Sequence, residues 1–175
     1  KTMGGMTRTY KMALEHRLGA EIPEDHPIVP WMIRHGTANF SRYHVGKDGM
    51  TAHRRLKGRT FNKEMCEFGE SVWYLKPKSK GKTKIETRWE NGVFLGIRDE
   101  STEVFIGTEE GVIKARKIMR KGSHAERWNA IQVEKMRGTP WEPQPGRESF
   151  VVETKILHRN CLLYTSDAAD DRNCV

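Results

Sequence analysis

Trp89-Glu90-Asn91-Gly92-Val93-Phe94-Leu95-Gly96-Ile97 is the stretch on which the fold class turns. Asn-Gly flanked by apolar and aromatic residues is a strong short-range hairpin signal. The sequence therefore predicts one strand over Ile85 to Trp89, a turn at Asn91-Gly92 and another strand over Val93 to Ile97. Working outward, Val72-Trp73-Tyr74-Leu75 precedes this hairpin, while Val104-Phe105-Ile106 and Val112-Ile113 through Ile118 follow it, with Glu110-Gly111 as a further turn. These β-branched and aromatic runs are short and closely spaced. Five such strands predict a small closed or half-closed barrel over about 68–121, because closure removes exposed strand edges.

Helical patterning flanks this region. Tyr10, Ala13, Leu14, Arg17 and Leu18 recur at i, i+3, i+4, i+7 and i+8 with Gly19 behind them, which predicts an amphipathic helix over Thr7 to Leu18 with a glycine cap. A second helix is expected from Pro27 or Pro30 to about Tyr43, since proline suits a first turn. Gly46 and Gly49 then interrupt, and Thr51 can cap a third over Ala52 to Leu56. A last helix over about His124 to Met136 has Ser123 as its cap, and the Pro140, Pro143 and Pro145 run opens a linker to residue 160. The expected class is α+β: N-terminal helices over 1–60, a five-stranded barrel over 68–121 and a helix over 123–137.

The chain has 175 residues, 36% hydrophobic and 31% charged, with a mean hydropathy of −0.74. No window approaches the roughly 18 to 20 apolar residues of a membrane span, and no apolar signal-peptide core opens the sequence. Cys66, Cys161 and Cys174 are too few and too scattered for a disulfide framework or a four-ligand zinc site, so a reducing, intracellular setting is expected. Residue 1 is Lys rather than Met, and the chain reads as part of something longer. Its last fifteen residues, Cys161 to Val175, look like an in-frame translation of a sequencing adapter and are set aside from fold reasoning.

Thirty-one Lys and Arg stand against 23 Asp and Glu, a net charge of +8 that favours an anionic partner. Removing the one Arg and three Asp of the final fifteen residues leaves a body charge of +10. Lys76, Lys78, Lys80, Lys82 and Lys84 fall on alternate positions between two predicted strands, where an extended hairpin would aim them to one side as a phosphate-binding comb. The same run suits a solvated tip that keeps a strand edge soluble. A second cluster, Arg54, Arg55, Lys57 and Arg59, follows the third helix, and another, Lys114, Arg116, Lys117, Arg120 and Lys121, rides the last strand. Trp73, Tyr74, Trp89 and Phe94 could stack on bases, although Trp89 and Phe94 are expected to fill the core.

Other chemistries find less support. His35, His44 and His53 recur every nine residues, about 2.5 helical turns, so neighbours face opposite sides and the spacing argues against a metal site. Asp25, Asp48 and Asp99 lie in predicted loops, Glu15 has no recognisable partner, and no nucleophilic triad or glycine-rich phosphate loop is present. No catalytic residue and no cofactor is assigned to this chain.

The order of the pieces resembles the downstream part of the integrase region in copia-type retrotransposon polyproteins. The resemblance rests on Arg8-Thr9 to Leu14, Pro30-Trp31, Gly49-Met50-Thr51 with Arg55 and Gly58, Phe68-Gly69, Trp89-Glu90-Asn91-Gly92-Val93-Phe94-Leu95-Gly96 and Arg116, with Arg127-Trp128 and Gly138-Thr139-Pro140-Trp141 like the tail of some relatives. It implies the last helices of a ribonuclease H-like catalytic domain followed by an SH3-like barrel that contacts DNA. The family's two Asp and one Glu, which hold two Mg or Mn ions, would lie upstream, and Glu15 does not match their motif. The implied partners are DNA, both element ends and target, the rest of the polyprotein and further copies of the chain, acting in the nucleus and not at a membrane. A rival from another class is a barrel that reads peptides through an aromatic groove.

Overall fold

The computed structural model describes residues 2–76 and 88–146. Helix α1 runs from Thr2 to Leu18, five residues longer at its start than the pattern predicts. Gly4 and Gly5 weaken the sequence signal there, but Met6 and Tyr10 lie over Gly36 of the next helix, whose missing side chain lets the two approach. Gly19 ends α1 at φ 64°, donating to the Glu15 carbonyl at 2.8 Å. Helix α2, Ile28–Tyr43, buries Ile28, Trp31, Met32, His35, Ala38 and Arg42 along one face. The short α3, Ala52–Lys57, is capped as predicted: the Thr51 hydroxyl accepts from the Arg54 amide at 3.1 Å, and Gly58 closes it at φ 70°.

Five antiparallel strands follow: β1 Ser71–Leu75, β2 Trp89–Ile97, β3 Val104–Thr108, β4 Gly111–Ala115 and β5 Ile118–Arg120, in the order β4-β3-β2-β1-β5. Two predicted boundaries are corrected. Asn91-Gly92 is no turn: both residues sit inside β2, opposite Trp73 and Val72. Gly92 is there for lack of room, since a Cβ would collide with the Ile106 side chain and come within 3.2 Å of the Tyr74 ring. The predicted strand through Ile118 instead divides at Arg116-Lys117. The part of the first predicted hairpin strand over 85–87 lies outside the described residues.

Helices and a five-stranded antiparallel sheet make the chain α+β as expected, but full closure into a barrel is not confirmed, because no ladder joins β4 to β5 and the sheet is not closed. It is strongly rolled nonetheless. Ala115 and Ile118, on opposite edges, are three residues apart, a reach of about 11 Å at most, whereas the edges of a flat five-stranded sheet lie about 19 Å apart. A bulge that sets Leu95 and Gly96 against Phe105 helps β2 bend.

Both sheet faces are covered. Inside the roll, Val72, Tyr74, Phe94, Val104, Ile106 and Ala115 pack with Cys66, supported by Phe61 and Met65 from the connecting segment. Outside it, Val93, Leu95, Phe105 and Val112 share one core with Leu14 of α1, and Trp31 and Met32 of α2. The helical and sheet portions are therefore packed as one body.

The single last helix becomes two, α4 His124–Arg127 and α5 Ala130–Glu134, broken by extended backbone at Trp128-Asn129. Ser123 makes no cap bond, whereas the Asn129 side chain accepts from the Gln132 amide at 3.1 Å. The break lets Val133 and Met136 enter the outer core. Residues 138–146, predicted to begin a linker, lie along β4, with the Val112 amide bonded to the Pro143 carbonyl at 2.5 Å.

His35 offers a test of this packing. It is buried against the rings of Tyr10, Phe68 and Phe94, its Nε2 accepts from Asn39 Nδ2 at 2.8 Å, and Nδ1 has no partner among the described residues. Burial, and then the charge of Arg42, lower its pKa from 6.5 to about 4. The unfolded chain takes up this proton below pH 6.5 and the folded chain does not, so stability is lost as pH falls from 6.5 to about 4 and is unaffected above that window. The loss should reach about 3 kcal/mol near pH 4, measured as the difference in urea stability between the wild type and His35→Phe. An equal pH dependence in the two proteins would show that His35 is not held neutral by the fold.

Candidate nucleic-acid interface

The fourteen cations singled out by sequence meet different fates. Lys78, Lys80, Lys82 and Lys84 lie outside the described residues, so the lysine comb rests on Lys76 alone, which is 2.8 Å from Glu90 Oε1. The same carboxylate accepts from the Tyr74 hydroxyl at 2.7 Å.

Arg55 is also engaged. Its Nε and Nη2 reach Asp48 at 2.8 and 2.5 Å across the loop between α2 and α3. The bonds to Arg55, then the Met50 amide, hold the Asp48 carboxyl down at about 2. Arg120 is bound more deeply: its Nε and Nη2 meet the two oxygens of Glu70 at 2.8 and 2.9 Å, and Glu70 is fully buried. A guanidinium committed in this way fastens β5 to the start of β1. Lys121 donates to Ser71 Oγ at 3.1 Å and lies 5.3 Å over the Trp73 ring.

Arg54, Lys57, Arg59, Lys114 and Lys117 remain exposed, with no carboxylate partner among the described residues. Arg116 is 88% exposed and only 3.7 Å from Glu103. Two groups approach the 98–103 loop between β2 and β3. Lys63, four residues past Arg59, donates to the Thr102 carbonyl, and Arg116 reaches Glu103 in the same loop. The third predicted cluster thus splits, with Lys114, Arg116 and Lys117 at this end of the sheet and Arg120 and Lys121 beside Trp73 and Glu70.

Sequence reasoning missed several cations that tertiary structure gathers nearby. Arg34 lies 4.5 Å over Phe105, the strand partner of Lys114. Arg42, by contrast, is 1% exposed in its side chain and donates to the Ile97 carbonyl at 2.8 Å and to Asp99 at 2.6 Å. Helical spacing already placed both on α2, but only the sheet's position distinguishes the surface charge from the buried one. Of the predicted stacking residues, Phe94 and Tyr74 are core, while Trp73 and Trp89 are half-buried.

The described residues contain no group of three or more His, Cys, Asp or Glu able to hold a metal ion. The described residues therefore do not fit a two-metal centre. His44 stacks on Phe40 and His53 meets Phe61 edge-on, so both have aromatic neighbours rather than one another. Cys66 is buried, and burial followed by Glu70 pushes its thiol up to about 12, leaving it unreactive at neutral pH. No described helix is long and apolar enough to cross a membrane. Compared with protein-family models, curated proteins and solved structures, the chain matches none.

Proposed function

We propose that this chain is a nucleic-acid-binding and scaffolding part of a DNA-joining integrase of the copia retrotransposon type, with the catalytic carboxylates supplied by another part of the polyprotein. The observation that carries the binding half is a set of exposed cations without carboxylate partners among the described residues: Arg54, Lys57 and Arg59 on and just after α3, and Lys114 and Lys117 on and just after β4. Point charges on phosphates position a protein without reading bases, so binding should tolerate any sequence. The integrase half rests on the resemblance described above.

A salt titration tests the binding half. Log affinity for a DNA duplex should fall linearly with log salt, and Lys114→Gln, Arg116→Gln and Lys117→Gln together should lower the slope by up to about three, near 0.9 for each phosphate no longer neutralised. These surface changes should leave stability within about 0.5 kcal/mol. Flat or absent binding would defeat the proposal.

A further inference from the structure

Between Trp73 of β1, the end of α1 and the α4–α5 segment lies an open groove of about 470 Å³, within the roughly 300–1,000 Å³ typical of small-ligand sites. Its walls include Trp73, Trp128, Leu18, Ile131 and Lys121, with Glu126 the one acid among the lining residues. Each tryptophan carries a cation on its face: Lys121 Nζ is 5.3 Å from the Trp73 ring centre, and the Arg17 guanidinium 5.3 Å from that of Trp128. Arg17 is held there by His124 at 2.8 Å and Glu67 at 3.3 Å. Ile131 is 63% exposed on the groove wall, a large apolar side chain left in water.

Two indoles beside two cations make a surface suited to a flat aromatic ring attached to an anion. We propose that this groove takes an unstacked nucleobase of a single-stranded nucleic acid, with the ring against Trp73 and Trp128 and the adjoining phosphate on Lys121. The proposal deepens the nucleic-acid reading above and rests on it, but it names a different chemistry at a different place from those exposed cations. Lys121 suits this role because, among the described residues, its ammonium is held only by one hydroxyl and a ring face. Its flexible stem lets it exchange the indole for a phosphate as the base enters. Base–aromatic stacking is tolerant of base identity, so the groove adds preference for unpaired strands without sequence specificity. Glu126 opposes the phosphate, which fixes the sign of a further effect: Glu126→Gln should tighten binding.

The test compares three probes with the full chain at one salt concentration: an octamer of thymidylate, an abasic octamer with the same phosphates, and a proline-rich peptide. Tryptophan fluorescence reports binding. The thymidylate octamer should bind roughly ten- to hundredfold more tightly than the abasic one. That preference should vanish in Trp73→Leu and in Ala125→Leu, the second an exposed position on the groove wall that narrows it without altering charge or core. Equal binding of both octamers would overturn the groove proposal while leaving the phosphate reading intact. Binding of neither would defeat both, and binding of the peptide alone would assign the groove to a protein partner instead.

Discussion

Glu70→Ala should cost about 3–5 kcal/mol of folding stability, the range expected when one partner of a buried ion pair is removed. The magnitude follows from what the carboxylate holds. It is fully buried, accepts two bonds from Arg120 and one from the Glu67 amide at 3.0 Å, and has Arg127 at 3.7 Å. Alanine leaves the Arg120 guanidinium and the Glu67 amide without their acceptor, and it removes the side-chain tie that reinforces the short β1–β5 ladder. Arg120 is 35% exposed in its side chain and can recover some hydration, which places the result toward the lower end. Replacing both partners, as in Glu70→Leu with Arg120→Leu, removes the stranded charge and should cost much less than the sum of the single changes. Urea unfolding of the wild type, Glu70→Leu, Arg120→Leu and the double variant checks this as a double-mutant cycle. Single changes within about 0.5 kcal/mol of wild type would show that the pair holds nothing.

The same pair shows why cation spacing was legible and cation function was not. From sequence, Arg120 belongs with Lys117 and Lys121 on one strand and reads as a phosphate ligand. Its partner stands 50 residues earlier, and no local pattern announces that meeting. Asp48 and Arg55, seven residues apart across a glycine turn, show the same masking at short range. What the periodicity did carry was the apolar face and glycine cap of α1, the Thr51 cap of α3, and the presence of an antiparallel sheet, because each depends on neighbouring residues alone.

Asn91-Gly92 failed for a tertiary reason. The dipeptide can form a hairpin turn, but β2 crosses Tyr74 and Ile106 at a point where only a glycine fits. The need for space therefore decides the residue, and the turn signal is incidental. Trp128-Asn129 erred in the opposite direction: a continuous helical pattern hid a break that swings Val133 and Met136 into the outer core. Closure of the barrel was similarly beyond local reading, since it depends on whether β4 and β5 pair, and the two-residue Arg116-Lys117 corner brings them together without a ladder.

Trp31→Ala should be as damaging as the loss of Glu70 and should show how far the helices and sheet act as one unit. Trp31 is 1% exposed on α2, its ring centre lies 5.1 Å from that of Phe105 on β3, and its indole N–H donates to the Gly138 carbonyl at 2.9 Å. One side chain thus joins a helix, a strand and the segment beyond α5. Truncating a buried tryptophan costs about 3–5 kcal/mol, and the Gly138 carbonyl also loses its donor. Trp31→Phe keeps most of the ring packing and should cost nearer 1 kcal/mol for the missing hydrogen bond. Because the side chain binds parts on both sides of residue 60, its removal should speed hydrogen exchange alike at helix amides and at the Phe94 amide, which is bonded to the Glu70 carbonyl at 2.8 Å. If both open only by global unfolding, an acceleration of about two to three and a half orders of magnitude corresponds to the expected loss. Acceleration confined to α1 and α2 would mean that the sheet folds independently, and that the shared core of Leu14, Trp31, Leu95 and Phe105 is an adhesion between two domains. Common acceleration would mean that the rolled sheet depends on its helices, so that the cations on α3 and β4 are held to one rigid body.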